Sequence, residues 1–424
     1  MYRVKSCFLE KLSEKTSEIV PVEVVLITRR VRVGENFIDI PHPLSSYIND
    51  NFNSLNTKKQ YGKVVCSFLN FILKRLDEQN DKFDDLKKNG LGGLSFYHGA
   101  EFLVYSIEVL ENSRNTVLMK EKILIHLFQY LISNKILNQN LEIEYVNRVD
   151  ARGKIFRKYI NPFQNAGIKI FYPSKIYSKV AKRKDMDEDL WRLFLDLAKI
   201  HTPDIVLGIY FQMMGGLRQG EVVNLTLDAI HFNDDSFTLD VTDRQDELFK
   251  DRDIDLSSCQ VKVPRKNQIV LDPYGGLMPL YEFHLKQLTK IKASNKKANQ
   301  KALFLSNKGV VITGEMYKER FLVVKKIFLD TLKETSYVLY KDYSDTRWGS
   351  HIGRGIFTNY LIRSGLINTP DGKPSTRILA KLRGDRSEAS AQSYIDEYTL
   401  NKVISHKVNN LKNELEIKLG GNED

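Results

Sequence analysis

Cysteine is scarce in this chain: Cys7, Cys66 and Cys259 are the only three in 424 residues. Odd in number and far apart, they fit a reduced compartment and offer no C-x-x-C metal spacing. Long apolar runs are also missing. The two longest, residues 19–27 and 205–217, are interrupted by Glu23 and Gln212 and fall short of the ~20 residues that span a bilayer. The opening Met1-Tyr2-Arg3-Val4-Lys5 leads into Glu10 and Glu14 rather than into an apolar segment, so no signal peptide is expected. No internal repeat and no low-complexity tract stands out. These absences point to a cytoplasmic chain with no membrane span.

Positive charge is in excess. Lys+Arg number 64 against 53 Asp+Glu, a formal +11. That balance favours polyanionic partners, nucleic acid before membrane, although a basic surface also serves solubility alone. A hydrophobic content of 42% with 28% charged residues is that of an ordinary globular protein. The length exceeds one ordinary core, so two or more domains are expected.

Val22, Val24, Leu26, Val31 and Val33 alternate with other residues, which predicts β structure over 22–40 with a turn at Gly34-Glu35-Asn36. Residues 1–45 are expected as a small β-containing N-terminal extension. Beyond Pro41-His42-Pro43 the period becomes helical. Tyr61, Val64, Val65, Phe68, Leu69, Ile72 and Leu76 form one stripe. Gly90, Gly92 and Gly93 break the pattern, which resumes over 94–110 and 116–137. Residues 46–150 are therefore expected as an all-α domain of four or five helices.

Residues 151–182 lose the period and carry Arg152, Lys154, Arg157, Lys158, Lys169, Lys175, Lys179 and Lys182. They read as a basic linker, either a solvated tether or a strand that wraps a polyanion. Asp185-Met186-Asp187-Glu188 opens a second domain, 183–424, with acids where a helix start favours them. Helices are expected over 189–201, 204–214, 277–292, 315–334, 350–364 and 375–382, with strands over 236–242 and 260–271. The fold class is multidomain, mainly α with a small β-sheet.

Four segments of this second domain carry residues suited to phosphate chemistry. Phosphoryl transfer without a metal needs fixed cations around the non-bridging oxygens, and arginine supplies a permanent charge with a two-pronged donor. Arg218 follows the Gly215-Gly216 pair, and Glu221 at i+3 can hold its guanidinium; an ordinary surface Arg–Glu pair has the same spacing. His351 and Arg354, three apart, share a helix face in front of Ile352, Ile356, Phe357 and Leu361. They suit either a capping or core histidine or a proton acceptor and cation aimed at one phosphate. Lys262 is expected on a hairpin, just before its turn, and could protonate a leaving alkoxide, with Lys266 as its rival. Tyr394 is a poor nucleophile at a free pKa of ~10 and needs activation, and Tyr398 competes for the same part.

In this order the segments resemble the tyrosine recombinase (lambda-type phage integrase) family. Gly216-Leu217-Arg218-Gln219-Gly220-Glu221 is similar to its first arginine box, and His351-Ile352-Gly353-Arg354 to its His-x-x-Arg helix. Leu382-Arg383-Gly384-Asp385 stands where that family has Leu-Gly-His-Ser, and Tyr394 follows at its nucleophile spacing, which singles it out over Tyr398. Two positions depart from the pattern. The third box, usually His or Trp, holds Asp385, which needs a partner such as Arg383 or Arg386; the position after the second arginine, often His, is Gly355.

The resemblance implies a core-binding (SAM-like) domain joined to a mixed α/β catalytic domain. It implies cleavage and rejoining of double-stranded DNA through a 3′-phosphotyrosyl link, with no cofactor and no metal. Arg218, Lys262, His351, Arg354, Asp385 and Tyr394 would be catalytic, with Glu221 in support. Arg157, Lys158, Lys179 and Lys182 would contact DNA, and a tetramer would form on paired sites. A catalytically inactive DNA-binding regulator on the same fold is the alternative.

Overall fold

A computed structural model of the chain describes residues 1–12, 19–149, 155–174, 181–233, 236–250, 252, 254–369 and 373–389. Two compact units divide it, 1–179 and 180–424.

The first unit begins with an antiparallel sheet of β1 (Tyr2–Leu12), β2 (Ile19–Val33) and β3 (Asn36–Pro41). Five helices follow: α1 (Leu44–Asn51), α2 (Leu55–Asp77), α3 (Asp84–Asn89), α4 (Phe96–Glu108) and α5 (Arg114–Ser133). Strand β1 was not legible as a strand, because its support is the register of β2 (Val4 opposite Ile27, for example) rather than its own composition. Alternation in β2 turns Val25 and Ile27 inward, where they are fully buried in one cluster with Val65, Phe68 and Leu124. The sheet therefore shares the helices' core instead of forming a separate extension, and the body it joins is not all-α.

The stretch expected as a basic linker also departs from that reading. Strands β4 (Tyr145–Val149) and β5 (Ile155–Tyr159) pair as an antiparallel hairpin. A 3-10 turn at Pro162–Asn165 then sends Phe163, fully buried, against Phe96 and Phe128. Scattered cations masked this apolar anchor in the sequence.

The second unit contains α6 (Glu188–His201), α7 (Val206–Met214), α8 (Gln219–Val222), β6 (Ile230–Asn233), β7 (Ser236–Val241), α9 (Gln245–Leu248), β8 (Arg265–Val270), α10 (Leu277–Ser294), α11 (Gly314–Thr335), α12 (Tyr337–Ser344), α13 (Ile352–Arg363) and α14 (Thr376–Arg383). The strands form one antiparallel sheet in the order β6-β7-β8. All nine residues of α7 are buried, so it is the central post of the unit, with α13 packed alongside. Lys262 does not sit in a tight hairpin: α9 and a 3-10 turn at Leu256–Cys259 separate β7 from β8, and Lys262 lies in the loop entering β8. No helix among the described residues is long and apolar enough to cross a membrane.

Candidate functional site

Where α7 ends, the chain turns through Gly215-Gly216 into Arg218, which caps the short α8. The Arg218 backbone N–H donates to Glu221 Oε2 and its Nη1 to Oε1, both at 2.9 Å. Glu221 is fully buried and also accepts from Arg265 Nη2 at 3.1 Å. Burial alone would raise its carboxyl pKa; the charges and hydrogen bonds of Arg265 and Arg218 outweigh that and hold it below the ordinary value. Arg265 belongs to the basic stretch around Lys262, yet nothing in that stretch distinguishes it from its exposed neighbour Lys266.

Helix α14 ends in a left-handed Gly384 (φ 61), and the next N–H, of Asp385, donates back to Ala380 O at 2.9 Å. A side chain at Gly384 would also meet the Arg265 guanidinium at 2.5 Å. This Schellman-type ending carries Asp385 to the arginines. Its Oδ1 accepts from Arg218 Nη2 at 2.5 Å and from Arg354 Nη2 at 2.8 Å, while Oδ2 faces Arg383 Nε at 3.2 Å. Of the partners expected for Asp385, Arg383 is in place; Arg386 instead donates to the Lys262 carbonyl at 3.0 Å. Arg383 is itself fully buried and donates to Thr358 Oγ1 at 3.0 Å.

Arg354 projects from the first turn of α13 and is only 1% exposed. Its Nη1 donates to the carbonyls of Gly216 and Arg383, tying the ends of α7 and α14 together. Burial, then the charges of Arg218 and Arg383, push its pKa down, with Asp385 and Glu221 opposing. Gln268 of β8 closes the frame, donating to the carbonyls of Gly215 at 3.0 Å and Leu382 at 2.8 Å. Arg265 and Gln268 are the residues of this frame that sequence reasoning gave no part.

His351 occupies the N-cap of α13, with one edge of the residue open to solvent and protein around the rest of the ring. The protein packed around its ring, then the charges of Arg354, Lys182, Arg218 and Lys262, push its pKa down to about 4. The cations act in the same direction as the packing, so the imidazole is neutral at pH 7. Lys262 is exposed beside this group.

Arg218, Glu221, Arg354 and Asp385 thus meet through direct contacts, with His351, Lys262 and Lys182 in their electrostatic neighbourhood. Arg157 and Lys158 lie on β5 of the first unit, Arg157 at 4.9 Å over the Tyr145 ring. Lys179, Tyr394 and Tyr398 lie outside the described residues.

Four guanidinium groups, Arg218, Arg265, Arg354 and Arg383, face two carboxylates, Glu221 and Asp385. The excess of positive charge suits an anion and repels a metal ion. No cluster of three or more His, Cys, Asp or Glu arranged for a metal occurs among the described residues.

No family model matches the chain, and no curated protein matches it in sequence. Solved structures do. The XerH site-specific recombinase bound to palindromic difH substrate, a post-cleavage complex, is similar at 15% identity and a TM-score of 0.52, covering 83% of this chain and 80% of its own. The pre-cleavage complex of XerH with difH gives 14% identity and a TM-score of 0.50, over 80% of this chain and 77% of its own. At such identities the likeness establishes the fold alone: this chain folds as the site-specific recombinase XerH does.

Proposed function

We propose that the chain is a tyrosine-type site-specific DNA recombinase, cleaving and rejoining DNA through a 3′-phosphotyrosyl intermediate. The observation that carries this reading is the convergence of Arg218 Nη2 and Arg354 Nη2 on a single anionic oxygen, on a fold shared with XerH. Two rigidly held guanidinium groups stabilise the charge that gathers on the non-bridging oxygens as phosphorus becomes five-coordinate. Tyr394 supplies the nucleophile: its oxygen bonds to phosphorus as the bond to the 5′ oxygen breaks. His351, neutral at pH 7, takes the phenol proton, and Lys262 protonates the departing 5′ oxygen. Attack of a 5′-hydroxyl on the phosphotyrosine reverses these steps and reseals the strand, so neither metal nor cofactor takes part. The DNA is double-stranded, and the active assembly is a homotetramer on paired sites, in the cytoplasm.

A second reading, a DNA-binding regulator that does not cleave, is favoured by one feature: a carboxylate, Asp385, stands between the two arginines. Trapping on a nicked suicide substrate separates the two. The recombinase gives a covalent protein–DNA adduct that Tyr394→Phe abolishes while DNA affinity is retained. Adducts that survive in Tyr394→Phe and vanish in Tyr398→Phe move the nucleophile to Tyr398, and no adduct from the unaltered protein leaves the regulator.

A further inference from the structure

The terminal nitrogens of Arg218 and Arg354 already have partners within the protein. Each terminal nitrogen of an arginine carries two hydrogens. Arg218 Nη1 spends both, on Glu221 Oε1 and the Gly384 carbonyl. Arg354 Nη1 spends both as well, on the carbonyls of Gly216 and Arg383. Each Nη2 gives one of its two hydrogens to Asp385 Oδ1, at 2.5 and 2.8 Å, so this carboxylate oxygen sits at the point where the terminal ends of both arginines converge.

We propose that the Asp385 carboxylate is an internal ligand of the arginine cradle, seated where a phosphodiester oxygen binds, and that substrate takes the point shared by both arginines by displacing it. This rests on the reading of the cradle as a phosphate site. Three observations support it. The carboxylate is held chiefly through one oxygen, since Oδ2 has the Arg383 ion pair but no hydrogen bond of good angle. Its backbone follows the left-handed Gly384, at the last turn of α14, so the side chain can swing without moving a helix. Left in place, it puts a second anion against the phosphate at the two donors that matter most. The fold needs this carboxylate all the same, because Arg354 is almost wholly buried and an unpaired charge there is costly.

An internal ligand lowers the apparent affinity for the external one by the fraction of time the site is free. Calorimetric titration of the full chain with inorganic phosphate, read with a phosphate-soaked crystal, therefore tests it. Asp385→Asn is expected to bind phosphate roughly tenfold more tightly than the unaltered protein and to melt at a lower temperature. Equal or weaker binding by Asp385→Asn overturns the proposal. Because loss of a fixed anion also tightens binding, tighter binding supports it only when phosphate soaked into a crystal of the unaltered protein turns the Asp385 side chain away from both arginines. If neither protein binds phosphate, or if Arg218→Gln binds it as well as the unaltered protein, the cradle reading itself fails. Should Asp385→Asn not fold, a crystal of the unaltered protein soaked in phosphate decides. Phosphate on both Nη2 groups with the Asp385 side chain turned away supports the proposal; phosphate bound with the Asp385 side chain still on both arginines refutes it.

Discussion

The Arg354 guanidinium donates to the Asp385 carboxylate at 2.8 Å, with the two side chains 1% and 2% exposed. A pair so shut off from water adds little to net stability, because its attraction mostly offsets desolvation, yet breaking it strands a buried charge. Arg354→Gln is expected to lower the unfolding free energy by about 3 kcal/mol, the lower end of the usual range, since Asp385 keeps Arg218 and Arg383. Arg218 is 18% exposed, and its loss leaves Glu221 paired with Arg265. Arg218→Gln should therefore cost only about 1–2 kcal/mol. Denaturant titration of both variants tests the order, and equal losses would contradict the burial argument.

The electrostatics of His351 give a pH prediction. Its folded pKa, about 4, lies below the ordinary 6.5. As pH falls the unfolded chain takes up the proton first, so the contribution of this group is fully present above about 6.5 and is lost as pH falls toward 4. Stability rises with pH across that window. Proton NMR of the imidazole should show titration near 4, and Lys182→Gln, which removes one neighbouring cation, should move it upward. A midpoint at 6.5 in the unaltered protein would sink the description of His351 as a neutral acceptor throughout pH 5–8.

Gly355, a departure from the resembling family's usual histidine, has a steric cause. A Cβ there would lie 1.6 Å from the Lys184 carbonyl oxygen, so α13 runs directly against the segment before α6. The neighbouring Asp185 pairs with Arg363 at the far end of the same helix. Gly355→Ala must force the two backbones apart and should cost about 1–3 kcal/mol, read as a fall in melting temperature. An unchanged melting curve would mean that the close approach is absent in solution.

The legible parts of the fold were those that periodicity reports. The α2 stripe from Tyr61 to Ile72 is buried as its spacing predicts. Helix α13 shows where periodicity is blind: ten of its residues are buried on nearly all sides, so no polar face marks its orientation. Both arginines were visible as residues with suitable spacing. What they touch was not. Arg218 meets Asp385 across 167 positions; Gly384 marks the end of α14, but no local pattern announces which residues that ending brings Asp385 against. Arg265 stayed hidden for the same reason, since its partner Glu221 lies 44 residues away.

The hairpin of β4 and β5 gives the last prediction, which concerns DNA affinity. All five residues of β4 and the first four of β5 are exposed, including Arg148, Arg157 and Lys158. A two-stranded ribbon with so little buried side-chain surface is not explained by packing, and its cations suit a phosphate backbone. Each phosphate neutralised by a cation releases counterions, and the slope of log affinity against log salt steepens by ~0.9 per neutralised phosphate on duplex DNA. Replacing Arg157 and Lys158 by Gln, with Lys179 and Lys182, should flatten the slope by up to that amount for every phosphate left without its cation. Folding should be unaffected, since Arg157 and Lys158 bury little. Lys182 also acts on His351, so the Arg157/Lys158 pair is measured separately, by fluorescence anisotropy on duplex DNA at several salt concentrations. If that pair leaves the slope unchanged, the hairpin does not bind DNA, and its exposed apolar residues Val149, Ile155 and Phe156 need a partner of another kind.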